Sequence, residues 1–134
     1  MYAIIWLSFF EILLGLFSPF AEYVTVAIHA PLGLAVLALA FYISGKVSAS
    51  SCPDRVKRIT KATRNFAILQ VLVGITFAGA FLEKLPSPYL YVIGLIHVAT
   101  ALTIISQASS SATGYDMWEE REFQPGPAMA PSTA

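Results

Sequence analysis

Four long apolar runs occupy most of the first 107 residues, and each is near the length that a helix needs to cross about 30 Å of hydrocarbon. Their approximate bounds are 2–20, 23–44, 65–82 and 89–107. In lipid, backbone polar groups must be satisfied within the protein, which favours helices. Hydrophobic residues make up 57% of the chain and charged residues 12%. The sequence therefore predicts an all-α, integral membrane four-helix bundle over 1–107, followed by a polar C-terminal tail over 108–134.

The three connections between the runs differ in length and charge. Two are short turns that contain proline, at 18–21 and 83–88. The segment 45–64 is longer, is predicted to be a polar loop, and carries six of the eight basic residues. Because basic residues concentrate on the cytoplasmic side, we predict that this loop and both termini are cytoplasmic. A net charge of zero argues against a nucleic-acid surface, and contact with anionic lipid headgroups is an additional role.

Three further features concern the ends of the chain and its cysteine. The first run has no basic segment before it and contains Glu11, so we predict a retained helix and not a signal peptide. Cys52 is the single cysteine, which excludes an internal disulfide. The polar tail alone is expected to be disordered. Trp118 and Phe123 are its candidate anchors on a partner or at the membrane interface, and a tail without a partner is the alternative.

The only two histidines, His29 and His97, both lie inside apolar runs, where lipid would not solvate an imidazole. From the helical rise, they lie about 9 Å and about 12 Å below the outer ends of their helices. Two imidazoles at one depth favour axial ligation of a single haem b by the pair. A zinc or copper site would need three or four ligands, and Glu11 and Glu22 are the only carboxylates nearby. Histidines that only form hydrogen bonds are the remaining alternative.

Small residues accompany the histidines at helical spacing. Gly33 and Gly94 are each about one turn from a histidine on the same helix face. On the third run, Gly74 shares one stripe with Gln70 and Ala78, at a depth similar to that of the histidines. Glycine at these positions leaves room for a porphyrin edge, or for a closely approaching helix. We therefore include Gly33, Gly74 and Gly94 among the candidate cofactor-binding residues.

Three charged residues are also candidates for the site. Glu11, about 9 Å below the outer end of the first run, would orient a ligand histidine or donate a proton. Glu22, at the start of the second run, is a second candidate for proton handling. A helix–helix hydrogen bond is the alternative reading of Glu11. Lys84, the only cation of the two outer turns, is a candidate partner for a haem propionate.

Two stretches resemble the third and fourth helices of haem A synthases. They are FAILQVLVG at 66–74 and VIGLIHVA at 92–99. The family is built from four-helix halves with one histidine on the second helix and one on the fourth, and a haem binds between them near the outer face. Half-length archaeal members are expected to work as oligomers. The helix count and the order of the histidines here match one such half.

The chain departs from that family around its first histidine. Val26 stands where the catalytic half has a glutamate, and Ala30 stands where an arginine is usual. The pair at 22–23 is similar to a family Glu-Tyr pair but is displaced by about one turn. The long outer loop with paired cysteines is absent. The resemblance therefore implies a haem-binding cradle without a matched residue for oxidising a haem methyl group.

These features predict a multi-pass protein of the cell membrane that binds one haem b and transfers electrons. Its expected role is that of a small subunit in a respiratory or oxidase-type complex, with a quinol as candidate donor. The expected partners are the bilayer and other membrane subunits, or further copies of this chain. Two alternatives stay open: a half-length haem A synthase that acts on haem O, and a structural membrane subunit without a cofactor.

Overall fold

The computed structural model describes residues 1–16 and 22–123, and the side chains of 1–16 and 27–122. This part of the chain forms four α-helices and contains no strand. The helices are α1 (Tyr2–Leu16), α2 (Glu22–Ser48), α3 (Asp54–Leu82) and α4 (Ser87–Phe123). The predicted all-α fold with four helices is confirmed for the described residues.

Three of the helices, α2, α3 and α4, are long and apolar enough to cross a membrane. α1 is apolar as well, but its 15 residues extend only about 22 Å. The end predicted for this helix, at about residue 20, lies outside the described residues. The chain is therefore consistent with a multi-pass membrane protein, with three candidate spans where four were predicted.

The bundle turns many large apolar side chains outward and closes its interior with small ones. On α3, Leu72, Ile75 and Leu82 are all more than half exposed. The buried alanines and serines are Ser8, Ala40, Ser44, Ala67, Ala80, Ala101, Ala108, Ser111 and Ala112. In lipid, small residues let helices approach closely, and outward apolar side chains meet hydrocarbon. This distribution supports a lipid bilayer as the environment of the helices.

Each helix packs against two others in the described part of the bundle. α1 contacts α2 and α4, and α3 contacts the same two helices. α2 and α4 therefore lie diagonally across the bundle from one another. The hydroxyl of Tyr2 donates a hydrogen bond to Asp116, so the beginning of α1 and the end of α4 share one end of the molecule. That this end is cytoplasmic stays a prediction from the basic residues.

The polar loop predicted at 45–64 is wrong, because most of this segment is helical. α2 continues to Ser48 and α3 begins at Asp54, so that the connection is only 49–53. One side of the new helical turns is buried at Val56, Thr60, Thr63 and Ala67. The charged residues cover the other side. Apolar runs end where charges begin, but a helix with one buried face does not have to end there.

The predicted end of the fourth helix at Gln107 is also wrong, since α4 continues to Phe123. Its inner face carries on through the buried residues Ala108, Ser111 and Ala112. Trp118 then packs against the cluster of Val47, Cys52 and Val56. Trp118 is therefore a contact within its own chain in this structure. The side chain of Phe123 and residues 124–134 lie outside the described residues.

Candidate functional site

His29 on α2 and His97 on α4 face each other across the diagonal of the bundle. Their ring centroids are 6.0 Å apart, and the ring planes are inclined by 55°. The two helices themselves do not pack against each other, so the imidazoles bridge the space between them. The structure thus brings together the two residues that the depth argument places at one level.

Glu11 of α1 lies beside the first histidine. Its Oε2 is 3.0 Å from Nδ1 of His29, at ion-pair distance, although the angles fall short of a hydrogen bond. The carboxylate is almost fully buried, with 9% of the residue exposed, whereas the His29 side chain is 31% exposed. A carboxyl group buried in lipid needs such a partner. With its proton on Nδ1 facing Glu11, His29 has a free lone pair on Nε2.

The second histidine meets an amide. Nε2 of His97 is 3.2 Å from the Nε2 atom of Gln70 on α3. The other end of the amide is hydrogen-bonded to the hydroxyl of Thr100 on α4. This hydroxyl also lies 3.0 Å from the carbonyl of Ile96, one turn earlier. Nδ1 of His97 is buried and has no hydrogen-bond partner among the described residues.

The network of His97, Gln70 and Thr100 has more acceptors than protons, and its protons can be arranged in two ways. Thr100 has one hydroxyl proton, so it donates either to Gln70 or to its own helix. If it donates to Gln70, the amide N–H donates to Nε2 of His97, and Nδ1–H is left unpaired. If it donates to Ile96, the amide turns over, Nε2–H donates to the amide oxygen, and Nδ1 keeps a free lone pair. Because an unpaired N–H in lipid is costly, we favour the second arrangement.

The glycines of the site make room for side chains of this chain. A Cβ at Gly74 would lie 3.1 Å from Cε1 of His97, which is tighter than ordinary contact. A Cβ at Gly94 would lie 3.4 Å from the ring of Phe77. Phe77 in turn stacks on His97, with centroids 6.4 Å apart and planes inclined by 9°. At Gly33 a Cβ would make ordinary contact with Glu11, at 3.5 Å.

Two further predicted site residues are Lys84 and Glu22. Lys84 is exposed in the turn between α3 and α4 and has a left-handed backbone, with φ at 54°. Glu22 begins α2, but its side chain lies outside the described residues. Gln70, Thr100 and Phe77 are contacts of His97 that the sequence reasoning missed. The available signal was that Gln70 is a polar residue inside an apolar run, at a depth close to that of Thr100.

The donor set decides which groups the site can hold. Among the described residues no cluster of three or more His, Cys, Asp or Glu side chains is placed to bind a metal ion. Zinc and copper sites normally require three or four protein ligands. Two imidazoles with free lone pairs suit a cofactor that brings its own equatorial ligands, as haem does.

Comparison of the chain with protein-family models, curated proteins and solved structures finds no match in any of the three. The resemblance to haem A synthases therefore stays a hypothesis carried by the two short stretches.

Proposed function

We propose that this chain is a membrane haem protein in which His29 and His97 bind one haem b. It transfers single electrons as a small subunit of a respiratory or oxidase-type complex in the cell membrane. The observation that carries the proposal is the pair of facing imidazoles on diagonal helices. When bound, the haem supplies a reversible one-electron couple.

The separation of the two rings supports this proposal. Metal–imidazole bonds are about 2 Å long, and a ring nitrogen lies about 1 Å from its centroid, so two imidazoles on one metal have centroids about 6 Å apart. The observed distance is 6.0 Å. Each ring also retains a nitrogen lone pair once its partner on the neighbouring helix is satisfied.

The residues around the histidines match the needs of ligating imidazoles. A ligand histidine usually donates its second N–H to a carboxylate or carbonyl, which fixes the tautomer and the orientation of the ring. Glu11 meets Nδ1 of His29, and the Gln70 amide meets Nε2 of His97. The chain therefore orients its two imidazoles with different groups from α1 and α3.

The bundle also isolates the site from the end of the molecule that holds the N-terminus. A buried apolar layer fills the interior between the histidines and that end. Its members are Ile4, Val36, Ala40, Ala67, Ile104 and Ala108. An apolar layer of this kind keeps out water and preserves a low dielectric around the site. In the proposed function it protects the redox site from solvent on that side.

The visible spectrum of the purified protein tests the proposal directly. We expect a b-type Soret band and an α band that sharpens on reduction, and His97→Ala should abolish the low-spin spectrum. Thr103→Ala is the matched control, because Thr103 also lies on α4 but hydrogen-bonds only to the carbonyl of Ala99, at 2.8 Å. A purified wild-type protein without these bands, after supply of haem during expression, contradicts the proposal.

A second function has one specific observation in its favour. Haem A synthases have a catalytic glutamate on the helix of the first histidine, where this chain has Val26. Here Glu11 brings a carboxylate from α1 to the same histidine. The alternative is a half-length haem A synthase that oxidises a methyl group of haem O. Coexpression with a source of haem O separates the two: haem A in the extract supports the enzyme, and unchanged haem O supports the electron carrier.

A further inference from the structure

The end of the bundle that holds the N-terminus carries a group of basic residues that we name the basic collar. Its members are Lys46, Arg55, Lys57, Arg58, Lys61 and Arg64. Lys46 lies on α2 and the other five residues lie on α3, so each has a defined height along a helix and none belongs to an irregular loop. Among the side chains of 1–16 and 27–122, no basic residue of the collar forms an ion pair with a carboxylate.

Two aromatic contacts mark where the hydrocarbon layer ends. The guanidinium of Arg64 lies 5.6 Å from the ring centroid of Phe41, and the ammonium of Lys46 lies 5.8 Å from that of Tyr42. Such pairs of aromatic and basic side chains are typical of a membrane–water interface. From Arg64 to Leu82, α3 spans about 27 Å, close to the thickness of the hydrocarbon layer. Both observations place the boundary at Arg64.

Helical rise then gives the height of each charge above this boundary. Lys61 lies about 5 Å and Arg58 about 9 Å above Arg64 along α3. The headgroup layer of a bilayer is about 5–8 Å thick on each side. Lys61 and Arg64 therefore lie at the height of the lipid headgroups, Arg58 and Lys57 lie near their edge, and Arg55 lies beyond them, about 14 Å above Arg64.

Three of the four acidic residues of α4 lie further from the bilayer than the basic collar. A Cβ at Gly114 would lie 3.2 Å from Cγ2 of Val56, so these two residues are at the same height, about 12 Å above Arg64. Glu119, Glu120 and Glu122 follow on α4, at roughly 20–24 Å. That is more than one Debye length, about 8 Å, beyond the headgroups. The end of the bundle that holds the N-terminus is thus mainly basic near the bilayer surface and mainly acidic further out, with Asp116 between the two layers and Arg121 among the glutamates.

We propose that the basic collar binds the headgroup phosphates of anionic phospholipids. Topology alone requires only that basic residues stay on one side of the membrane. The layered charges require more, because most positive groups of α3 lie at or near the height of lipid phosphates, whereas the three glutamates of α4 are held away from them. Lys and Arg residues near an anionic surface each contribute about fivefold to binding.

The test compares two triple variants that change the net charge by equal and opposite amounts. One is Lys57→Gln/Arg58→Gln/Lys61→Gln, and the other is Glu119→Gln/Glu120→Gln/Glu122→Gln. Full-length protein in neutral detergent is titrated with phosphatidylglycerol, with phosphatidylcholine and with glycerol phosphate, and bound lipid is counted by native mass spectrometry. A Lys57→Arg/Arg58→Lys/Lys61→Arg variant keeps the charge and controls for folding.

We expect wild type to prefer phosphatidylglycerol to phosphatidylcholine. The basic triple should weaken phosphatidylglycerol binding by on the order of 100-fold, the acidic triple should change it by less than about threefold, and the charge-keeping variant should retain it. Equal and opposite shifts in the two Gln triples would overturn the proposal, because they indicate attraction by net charge alone. Equal binding of both lipids, or competition by glycerol phosphate at the same concentration, would overturn it as well.

Discussion

His29 and His97 face each other, but their neighbours differ in chemistry, in helix and in how closely they pack. His29 meets a carboxylate from α1 and is 31% exposed at its side chain. His97 meets a neutral amide from α3, and its ring lies between Phe77 and the backbone of Gly74. One half of the site therefore has an ionisable partner, and the other has a neutral amide and close contacts, while both imidazoles are partly exposed. We therefore expect the charge of the neighbouring side chain to have the larger effect on His29, and the close contacts with neighbouring residues to have the larger effect on His97.

The largest expected effect comes from exchanging the charge between the two halves. Glu11→Gln removes the negative charge beside His29, and Gln70→Glu introduces one beside His97. A negative charge stabilises the oxidised haem, so Glu11→Gln should raise the midpoint potential and Gln70→Glu should lower it. Each shift should be about 65–130 mV, the equivalent of ~1.5–3 kcal/mol for the interaction of a charged side chain with its polar partner. Redox titration of the purified protein measures both.

Thr76→Ala is the control for this exchange, because the Thr76 hydroxyl bonds only to the carbonyl of Leu72 in its own helix, at 2.9 Å. Its potential should equal that of wild type. Shifts of the same sign in both charge variants would contradict the assignment of one charged and one neutral histidine partner.

The second prediction concerns packing and compares Gly74, beside His97, with Gly33, beside Glu11. Gly74→Ala places a Cβ 3.1 Å from His97, so the ring or the helix must move, and the variant should lose ~1–2 kcal/mol of stability. Gly33→Ala makes only ordinary contact, at 3.5 Å, and should be neutral or gain up to ~1 kcal/mol from helix propensity. Thermal unfolding in detergent measures both. An equal loss in the two variants would show that the His29 half is as closely packed as the His97 half.

The depth of the two histidines was accessible from sequence, because apolar runs fix helix positions and helical rise converts position into height. The diagonal arrangement also has a simple cause, since short connections place α2 beside α1 and α3 beside α2. The start of α3 and the end of α4 were not predicted, because the charged side of each helix hides its buried face. Spacings of three and four residues through Val56, Thr60 and Thr63 were the signal that was not used.

The partners of His97 were harder to predict than the carboxylate beside His29, since the sequence already suggests Glu11 as the residue that orients a ligand histidine. A polar residue in lipid must find a partner, but a single helix pattern does not say on which neighbour. The sequence places Gln70 only in a stripe with Gly74 and Ala78, and Thr100 resembles the many threonines that bond to their own helix. Their pairing depends on how α3 and α4 are rotated against one another. That rotation follows from the whole interface and not from either sequence stretch.

The third prediction tests whether the outer turn belongs to the site. Lys84 occupies the left-handed position after α3, and the amide of Leu85 donates to the carbonyl of Ala80 at 3.1 Å, as in a helix-terminating Schellman motif. Lys84→Gly should therefore gain about 0.5–1 kcal/mol in thermal unfolding, whereas Lys84→Ala should gain nothing. If the ammonium pairs with a haem propionate, both variants should bind haem more weakly. Unchanged haem affinity in both would remove Lys84 from the site.

The smallest expected effect comes from removing the Thr100 hydroxyl, which tests the hydrogen bonds among Thr100, Gln70 and His97. Thr100→Val removes the hydroxyl that holds Gln70, whereas Thr103→Val removes one that bonds only to its own helix. Interhelical hydrogen bonds in membranes contribute about 0.6 kcal/mol, so Thr100→Val should lose about that amount of stability and Thr103→Val almost nothing.

In the arrangement that we favour, the proton of His97 is on Nε2, and ¹⁵N NMR of the haem-free protein should show that tautomer. Thr100→Val lets the amide turn over, so the two tautomers should become mixed. An unchanged tautomer in Thr100→Val would mean that His97 is held by the contacts with Phe77 and Gly74 alone, and that the amide has no part in orienting it.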